Sequence, residues 1–233
     1  MIATYRRALI VGAGEGLSAS LARRFAGEGL RVGLASRSVG KLEGLAAETG
    51  AAIHACDAAD PAEVEALFAL MEPALEGPPD VVVYNASGRL RGPIADLDPD
   101  AVRQSVMVSA FGGFLVAQAA ARRMLPGRHG AILLTGASAS VKGYAESSAF
   151  AMGKFALRGL SQSLARELQP KGIHVAHFVI DGGIRSASRP EPADAPDSLL
   201  DPDAIASAYW DVLRQDRSAW TSEIALRPWV ERF

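Results

Sequence analysis

Three side chains near the middle of the sequence have types and spacings that favour chemistry in one crevice. Ser138 follows an apolar run at residues 131–135, and Phe150 and Lys154 lie four residues apart in a helical pattern. That spacing places two side chains on one face of a helix. The hydroxyl and the amine could hold a polar substrate or cofactor, whereas a phenyl ring can neither donate nor accept a proton. We therefore expect a binding crevice in which the hydroxyl and the amine are the polar groups and the ring transfers no proton.

Alternating strand and helix patterns must position these side chains. Residues 131–135 have the apolar composition of a buried parallel strand, and leucines recur at helical spacing from Leu157 to Leu168. The same alternation predicts strands at residues 5–11, 31–36, 51–55, 80–84, 131–135, 173–180 and 222–227. This order predicts an α/β fold with a single Rossmann-like, doubly wound parallel seven-stranded sheet. Helices are expected on both faces and the site at the carboxyl edge.

A glycine-rich turn follows the first strand. Gly12, Gly14 and Gly16 lie between that strand and a helical pattern that begins at Leu17. The backbone of such a turn can approach a phosphate closely, and the free N–H groups of a helix N-terminus attract anions. We expect these residues to bind the phosphates of a nucleotide.

These motifs resemble those of the short-chain dehydrogenase/reductase family, and the resemblance covers nearly the whole chain. The family's Gly-x-x-x-Gly-x-Gly turn matches Gly12 and Gly16, with Ser18 in the place of the last glycine. Its serine and its Tyr-x-x-x-Lys signature match Ser138 and Lys154. Phe150 occupies the place of the catalytic tyrosine.

The resemblance implies an NAD(P)-dependent oxidoreductase that acts on a small carbonyl or alcohol substrate. In the family, the lysine binds the nicotinamide ribose, the serine holds the substrate oxygen, and the tyrosine transfers the proton. Lys154 is expected to keep the first role. Ser138 is expected to take the second. Ser140 is a rival for it, because relatives usually separate serine and tyrosine by one residue more than Ser138 and Phe150 are separated.

The proton relay differs from the family pattern at a second position. Relatives have an asparagine that helps to hold a relay water, and Ser109 stands in its place here. We expect this serine to be a buried helix residue that is bonded to the backbone instead. Tyr144, Asp181 or a water molecule would then have to transfer the proton.

The residue after the second strand predicts the form of the cofactor. Arg37 stands where an acidic side chain would bind a free ribose 2'-hydroxyl, and an arginine pairs with a 2'-phosphate instead. NADP is therefore favoured over NAD, although Glu15 argues for NAD unless it pairs with Arg37. Further cofactor contacts implied by the resemblance are Asp57, Asn85, Ala86, Gly182, Ile184 and Ser186. Asp57 could equally cap the helix that begins near residues 60–61.

Composition sets the broad class of the protein. The 233 residues are 49% hydrophobic, enough for one large domain, and the net charge of −2 offers no general attraction to nucleic acid or anionic lipid. A single cysteine and the lack of an apolar run of about 18 residues favour a cytoplasmic protein without membrane contact. We expect no metal site.

The resemblance implies a homodimer or homotetramer, and the patternless segment 185–200 is expected to be a mobile substrate lid.

Three functions fit this sequence. The first is an NADP(H)-dependent oxidoreductase with an altered proton relay. A second is a protein that binds the cofactor but has lost redox activity, and acts as a sensor or partner subunit. The third is a dehydratase or isomerase in which Phe150 shapes an apolar pocket in the same crevice.

Overall fold

The computed structural model describes residues 3–231, which form one seven-stranded sheet with helices around it. The strands are β1 (Arg7–Val11), β2 (Arg31–Ser36), β3 (Ala52–Ala55), β4 (Val81–Tyr84), β5 (Gly130–Thr135), β6 (Ile173–Ile180) and β7 (Glu223–Leu226). Their order is β3-β2-β1-β4-β5-β6-β7, and all neighbouring strands are parallel. The predicted sheet is confirmed, including the bounds of β2 and β6.

Seven α-helices connect and cover the strands. They are α1 (Leu17–Gly27), α2 (Glu43–Thr49), α3 (Pro61–Ala74), α4 (Pro99–Val106), α5 (Gly112–Met124), α6 (Ser148–Leu168) and α7 (Pro202–Leu213). Successive residues of β1 point to opposite faces of the sheet, as the pleat requires. Ile10 belongs to the cluster with Phe25 of α1 and Tyr209 of α7, and Leu9 to the cluster with Phe68 of α3 and Val116 of α5. Apolar burial on both faces therefore stabilises the sheet.

Three of the helices begin at an aspartate followed by a proline. The side chains of Asp60, Asp98 and Asp201 accept hydrogen bonds from first-turn amides of α3, α4 and α7. Such caps contribute about 1 kcal/mol each, and proline suits the first helical position. Because Asp60 caps α3, Asp57 does not have the capping role considered for it.

The helical run from residue 99 to 124 contains a wider turn. A π-helical turn at Met107–Phe111 joins α4 to α5. The run Pro99–Met124 is long and apolar enough to cross a membrane by length and composition, and half of its most apolar window is buried in the fold. Core helices of soluble proteins meet the same criterion.

Candidate functional site

A long crevice follows the carboxyl edge of the sheet. Strands β2 and β3 lie on one side of β1, and β4 to β7 lie on the other, so the direction of the strand order reverses at β1. Ligands of open α/β sheets bind at such a topological switch point. Three adjoining clefts of about 440, 520 and 380 Å³ lie there, and Asn85 lines all three. We call them the glycine-loop cleft, the inner cleft and the outer cleft, in that order.

The residues that the sequence suggested for the site line these clefts, except Ser140 and Asp181. Those of the glycine-loop cleft are Gly12, Gly14, Gly16, Leu17, Asn85, Ile184 and Ser186. Those of the inner cleft are Asn85, Ser138, Tyr144, Phe150, Lys154, Gly182 and Ile184. Those of the outer cleft are Gly12, Gly14, Arg37, Asp57, Asn85 and Ala86.

The glycine turn lies directly against the loop that follows β4. Gly12 has a φ of 87°, and a Cβ on it would lie 2.2 Å from the amide nitrogen of Ala86. No larger residue fits this position without moving one of the loops. Ser18 fixes the same contact, because its hydroxyl lies 3.2 Å from the Gly12 carbonyl and accepts a 2.7 Å hydrogen bond from the Asn85 amide.

The start of α1 offers an anion site in the glycine-loop cleft. Gly16 is the N-cap, and no side chain caps the helix. A Cβ on Gly14 or Gly16 would meet no atom within 4 Å, so the cleft is open in front of both. Arg189 also lines this cleft. Unpaired helix amides and a basic side chain fit the pyrophosphate of a dinucleotide.

Lys154 of α6 carries a buried amine at the end of the crevice. Its side chain is 3% exposed, and Nζ donates a 2.8 Å hydrogen bond to the carbonyl oxygen of Thr135. Burial and, to a smaller extent, the positive charge of Arg89 together lower the pKa of Lys154 to about 8. An ammonium group has three donors, so this side chain can bind further acceptors such as ribose hydroxyls.

The ring of Phe150 lies between two cationic groups. The guanidinium carbon of Arg89 is 5.4 Å from the ring centroid, and Lys154 Nζ is 5.9 Å from it. Both distances suit attraction between a cation and an aromatic face. Phe150 therefore orients the two charged groups and has no proton to transfer.

The two candidate serines differ in position. Ser138 is partly exposed and lines the inner cleft. Ser140 is fully buried, and its hydroxyl accepts a hydrogen bond of 3.1 Å from the Ala137 amide. Ser140 therefore stabilises the turn after β5, and Ser138 is the serine available to a ligand.

The two residues suggested as proton donors also differ in position. Tyr144 is 46% exposed and lines the inner cleft. Asp181 is buried, does not line that cleft, and pairs with Lys142 at 3.7 Å. Tyr144 therefore reaches the ligand space, whereas Asp181 supports the loop beside it.

The outer cleft presents two basic side chains. Arg37 and Lys41 line it together with Asp57, whose Oδ1 accepts a 2.9 Å hydrogen bond from the Ala59 amide. Glu15 lines the glycine-loop cleft, whereas Arg37 lines the outer cleft. No ion pair between them occurs within residues 3–231, so the predicted pairing of Glu15 with Arg37 is wrong. Lys41, which the sequence reasoning did not single out, adds a second positive charge to this cleft.

Ser109 is bonded to the backbone of the loop after β4, as expected of a buried helix serine. Its hydroxyl accepts a 3.0 Å hydrogen bond from the Gly88 amide, and the Ser105 hydroxyl donates a 2.8 Å hydrogen bond to the Gly88 carbonyl. Tyr84 at the end of β4 is fully buried, and its hydroxyl donates to the carbonyl of Val108 in the π-helical turn. The β4 loop is thus fixed to the helical run behind it.

Sequence reasoning missed three arginines of the crevice. Arg89 and Arg91 line the inner cleft, and Arg189 lines both the inner and the glycine-loop cleft. Arg89 and Arg91 lie in the irregular loop that follows β4. Two basic residues shortly after the end of a strand are a sequence signal that could have identified them as site residues. No group of His, Cys, Asp and Glu residues that could hold a metal ion occurs within residues 3–231.

Fold and crevice together define a Rossmann-type nucleotide-binding protein. The sequence signature of the short chain dehydrogenase family matches residues 6–192, and the chain belongs to this family. An uncharacterized oxidoreductase of Staphylococcus aureus (strain N315) is 27% identical over 97% of this chain and 99% of its own length. Human 17-beta-hydroxysteroid dehydrogenase type 1 is 32% identical over 61% of this chain, which spans only 43% of that enzyme.

Solved structures agree with this assignment. A short-chain dehydrogenase from Rhodopseudomonas palustris is 34% identical, with a TM-score of 0.82 and coverage of 96% of this chain and 99% of that chain. A metagenomic short-chain oxidoreductase, solved in complex with NADP, is 26% identical. Its TM-score is 0.83, with coverage of 97% of this chain and 98% of that chain.

Proposed function

We propose that this protein is an NADP(H)-dependent oxidoreductase that interconverts a small carbonyl compound and its alcohol through an altered proton relay, with Phe150 in the place of the family's catalytic tyrosine. The observation that carries the proposal is the continuous crevice, which joins the basic outer cleft to Lys154 and Ser138. A relative with the same fold was solved with NADP, which supports this cofactor.

Each part of the crevice suits one part of the cofactor. Arg37 and Lys41 would bind a 2'-phosphate, the amides at the start of α1 and Arg189 would bind the pyrophosphate, and Lys154 would bind the nicotinamide ribose. Bound NADPH supplies the hydride that reaches the carbonyl carbon. Gly182 and Ile184 would flank the nicotinamide in the inner cleft.

The protein's own residues position the substrate oxygen and leave the proton to another donor. Ser138 donates a hydrogen bond to that oxygen, which takes up one proton as the carbonyl becomes an alcohol. Tyr144 or a solvent water in the inner cleft supplies the proton, because Phe150 has none. Losing a positioned general acid costs roughly 10² to 10⁴ in rate, so slow reduction is expected.

A second candidate is a cofactor-binding protein without turnover. Two observations favour it: Phe150 lies beside Lys154, and the hydroxyl of Ser109 is held by the Gly88 backbone. Neither residue could feed a proton to a substrate. This protein would bind NADPH and leave carbonyl compounds unchanged.

Binding and turnover measured separately test the proposal. We expect NADPH to quench tryptophan fluorescence at micromolar concentrations and to be oxidised slowly with some members of a ketone and aldehyde panel. Binding without oxidation would support the second candidate. Substrate loss with no change in nicotinamide absorbance would support a dehydratase or isomerase. A failure to bind either NADPH or NADH would contradict both cofactor-dependent functions.

Cofactor preference is expected to depend on Arg37. Replacing Arg37 with glutamate removes a partner of the 2'-phosphate and adds repulsion, so the affinity for NADPH should fall about tenfold or more relative to NADH. Fluorescence titrations with both cofactors measure the ratio. Arg214→Ala is the control, since Arg214 is exposed at the end of α7 outside all three clefts. An unchanged ratio would show that Arg37 does not contact the phosphate.

We also propose that residues 185–200 form a lid and that the protein is a homo-oligomer. The lid contributes Ser186 and Arg189 to the crevice, and its ends are joined by a bridge between Ile184 and Leu200. Apolar side chains on the surface of the helices support self-association. They are Phe111, Phe114, Met152 and Phe155, each at least 36% exposed.

A further inference from the structure

The inner cleft carries more positive charge than a nicotinamide and a neutral substrate require. Its basic side chains are Arg89, Arg91, Lys154 and Arg189. No aspartate or glutamate of residues 3–231 lines it. The other two clefts each include a carboxylate, Glu15 in the glycine-loop cleft and Asp57 in the outer cleft.

The three arginines have no partner of opposite charge in the part of the chain that is described. None of them takes part in an ion pair, whereas Arg158 and Arg185 elsewhere pair with nearby carboxylates. A guanidinium group without a protein partner is available to bind a carboxylate or phosphate with two parallel hydrogen bonds.

The loop that carries Arg89 and Arg91 is held at both ends. The amide and carbonyl of Gly88 bond to the hydroxyls of Ser109 and Ser105, and the Gly92 amide donates to the Glu146 carbonyl at 2.9 Å. Arg89 also lies over the Phe150 ring. Because the loop backbone is fixed on both sides of the two arginines, less freedom is lost when they bind a ligand, and their contacts give more affinity.

The arginines are divided between the cofactor and the substrate ends of the crevice. Arg189 lines both the glycine-loop cleft and the inner cleft, and it therefore lies on the cofactor side. Arg89 and Arg91 line the inner cleft alone, together with Ser138 and Tyr144. Their charge faces the space left for the substrate.

We propose that the substrate is a small carbonyl or hydroxy compound that also carries a carboxylate or phosphate group, which Arg89 and Arg91 bind. The inference rests on the proposed function, because it places the substrate at the inner cleft. Ser138 would hold the reacting oxygen while the anionic group lies against the two guanidinium groups.

Two matched ligand pairs test the charge preference. The first is 4-oxopentanoate and its methyl ester, and the second is dihydroxyacetone phosphate and dihydroxyacetone. Calorimetry on the protein alone and on the protein saturated with NADP⁺ measures binding without turnover. We expect the charged member of at least one pair to bind about tenfold or more tightly, and the pair that shows this identifies the anionic group as carboxylate or phosphate.

Arginine variants connect that preference to the inner cleft. Arg89→Ala and Arg91→Ala should each weaken binding of the charged ligand about tenfold, Arg89→Lys should weaken it less, and Arg214→Ala should not change it. Circular dichroism confirms that each variant is folded. Equal binding of charged and neutral ligands in both pairs would overturn the proposal, and so would a preference that survives both alanine variants.

Failure of this proposal differs from failure of the proposed function. If NADPH does not bind, the proposed oxidoreductase function is contradicted. If the protein without cofactor still binds the charged ligands more tightly than the neutral ones, the anion site is supported independently of that function. NADPH binding together with equal affinity for charged and neutral ligands would overturn the anion site alone.

Discussion

Phe150→Tyr is expected to raise the rate of carbonyl reduction about 10²-fold. The variant places a phenol beside Lys154, whose Nζ is 5.9 Å from the ring centroid, and the positive charge lowers the pKa of that phenol. A positioned general acid contributes roughly 10² to 10⁴ in rate. The lower end is expected because the Ser109 hydroxyl is bonded to Gly88 and supplies no relay water.

Steady-state oxidation of NADPH with a saturating ketone measures this gain. Phe155→Tyr is a matched control, because it adds the same hydroxyl to the same helix at a side chain that is 44% exposed and outside the inner cleft. The gain should appear in kcat, since the added group acts on the chemical step. An unchanged or lower rate in Phe150→Tyr would show that the native reaction does not need a hydroxyl at this position.

Lys154→Met is expected to weaken NADPH binding about 10- to 100-fold and to stabilise the folded protein. The methionine keeps the length of the side chain and removes the charged donor that we assign to the ribose. It also removes a buried charge, because the Lys154 side chain is only 3% exposed. Loss of affinity together with a gain in stability is typical of a residue retained for binding.

The stability change has a defined dependence on pH. The pKa of Lys154 is about 8 in the folded chain against an ordinary value of 10.5. The unfolded chain therefore binds more protons between these values, so the stability of the native protein rises with pH across that window. Below about pH 8 the buried charge of Lys154 lowers the stability of the native protein by its full amount, on the order of 3 kcal/mol.

Urea unfolding at pH 7 and pH 9.5 measures this cost. We expect Lys154→Met to be more stable than the native protein at pH 7, with a smaller difference at pH 9.5. Lys171→Met is the control, because Lys171 is exposed and pairs only with Glu167 on the surface. NADPH titrations on the same samples give the affinities. Unchanged NADPH affinity in Lys154→Met would contradict the assignment of Lys154 to the ribose.

Local patterns were sufficient to predict most of the fold. β2 and β6 have the bounds expected from their apolar runs and from the turn residues beside them. A buried strand is apolar, and a helix usually begins at a residue that can cap it. Both features depend on residues that are close together in the sequence, so they can be predicted from it. The glycine turn was predictable for the same reason.

Contacts between distant residues were not predictable from the sequence. The hydrogen bond from Asn85 to Ser18 joins positions 67 residues apart, and the one from Gly88 to Ser109 joins positions 21 apart. No periodicity encodes such pairs, because they depend on how the loops meet after the sheet has formed. The orientation of Arg89 follows from these contacts, which is why the charge of the inner cleft was missed.

The position of Ser109 also restricts the mutational paths open to this protein. A Cβ on Gly153 would lie 2.6 Å from the Ser109 Cβ, so the serine fills the gap between the π-helical turn and α6. A bulkier asparagine there would displace α6 and release the Gly88 amide, whereas Phe150→Tyr changes only the wall of a cleft. Restoring the tyrosine therefore needs one substitution, whereas an asparagine at position 109 also needs changes that make room beside Gly153.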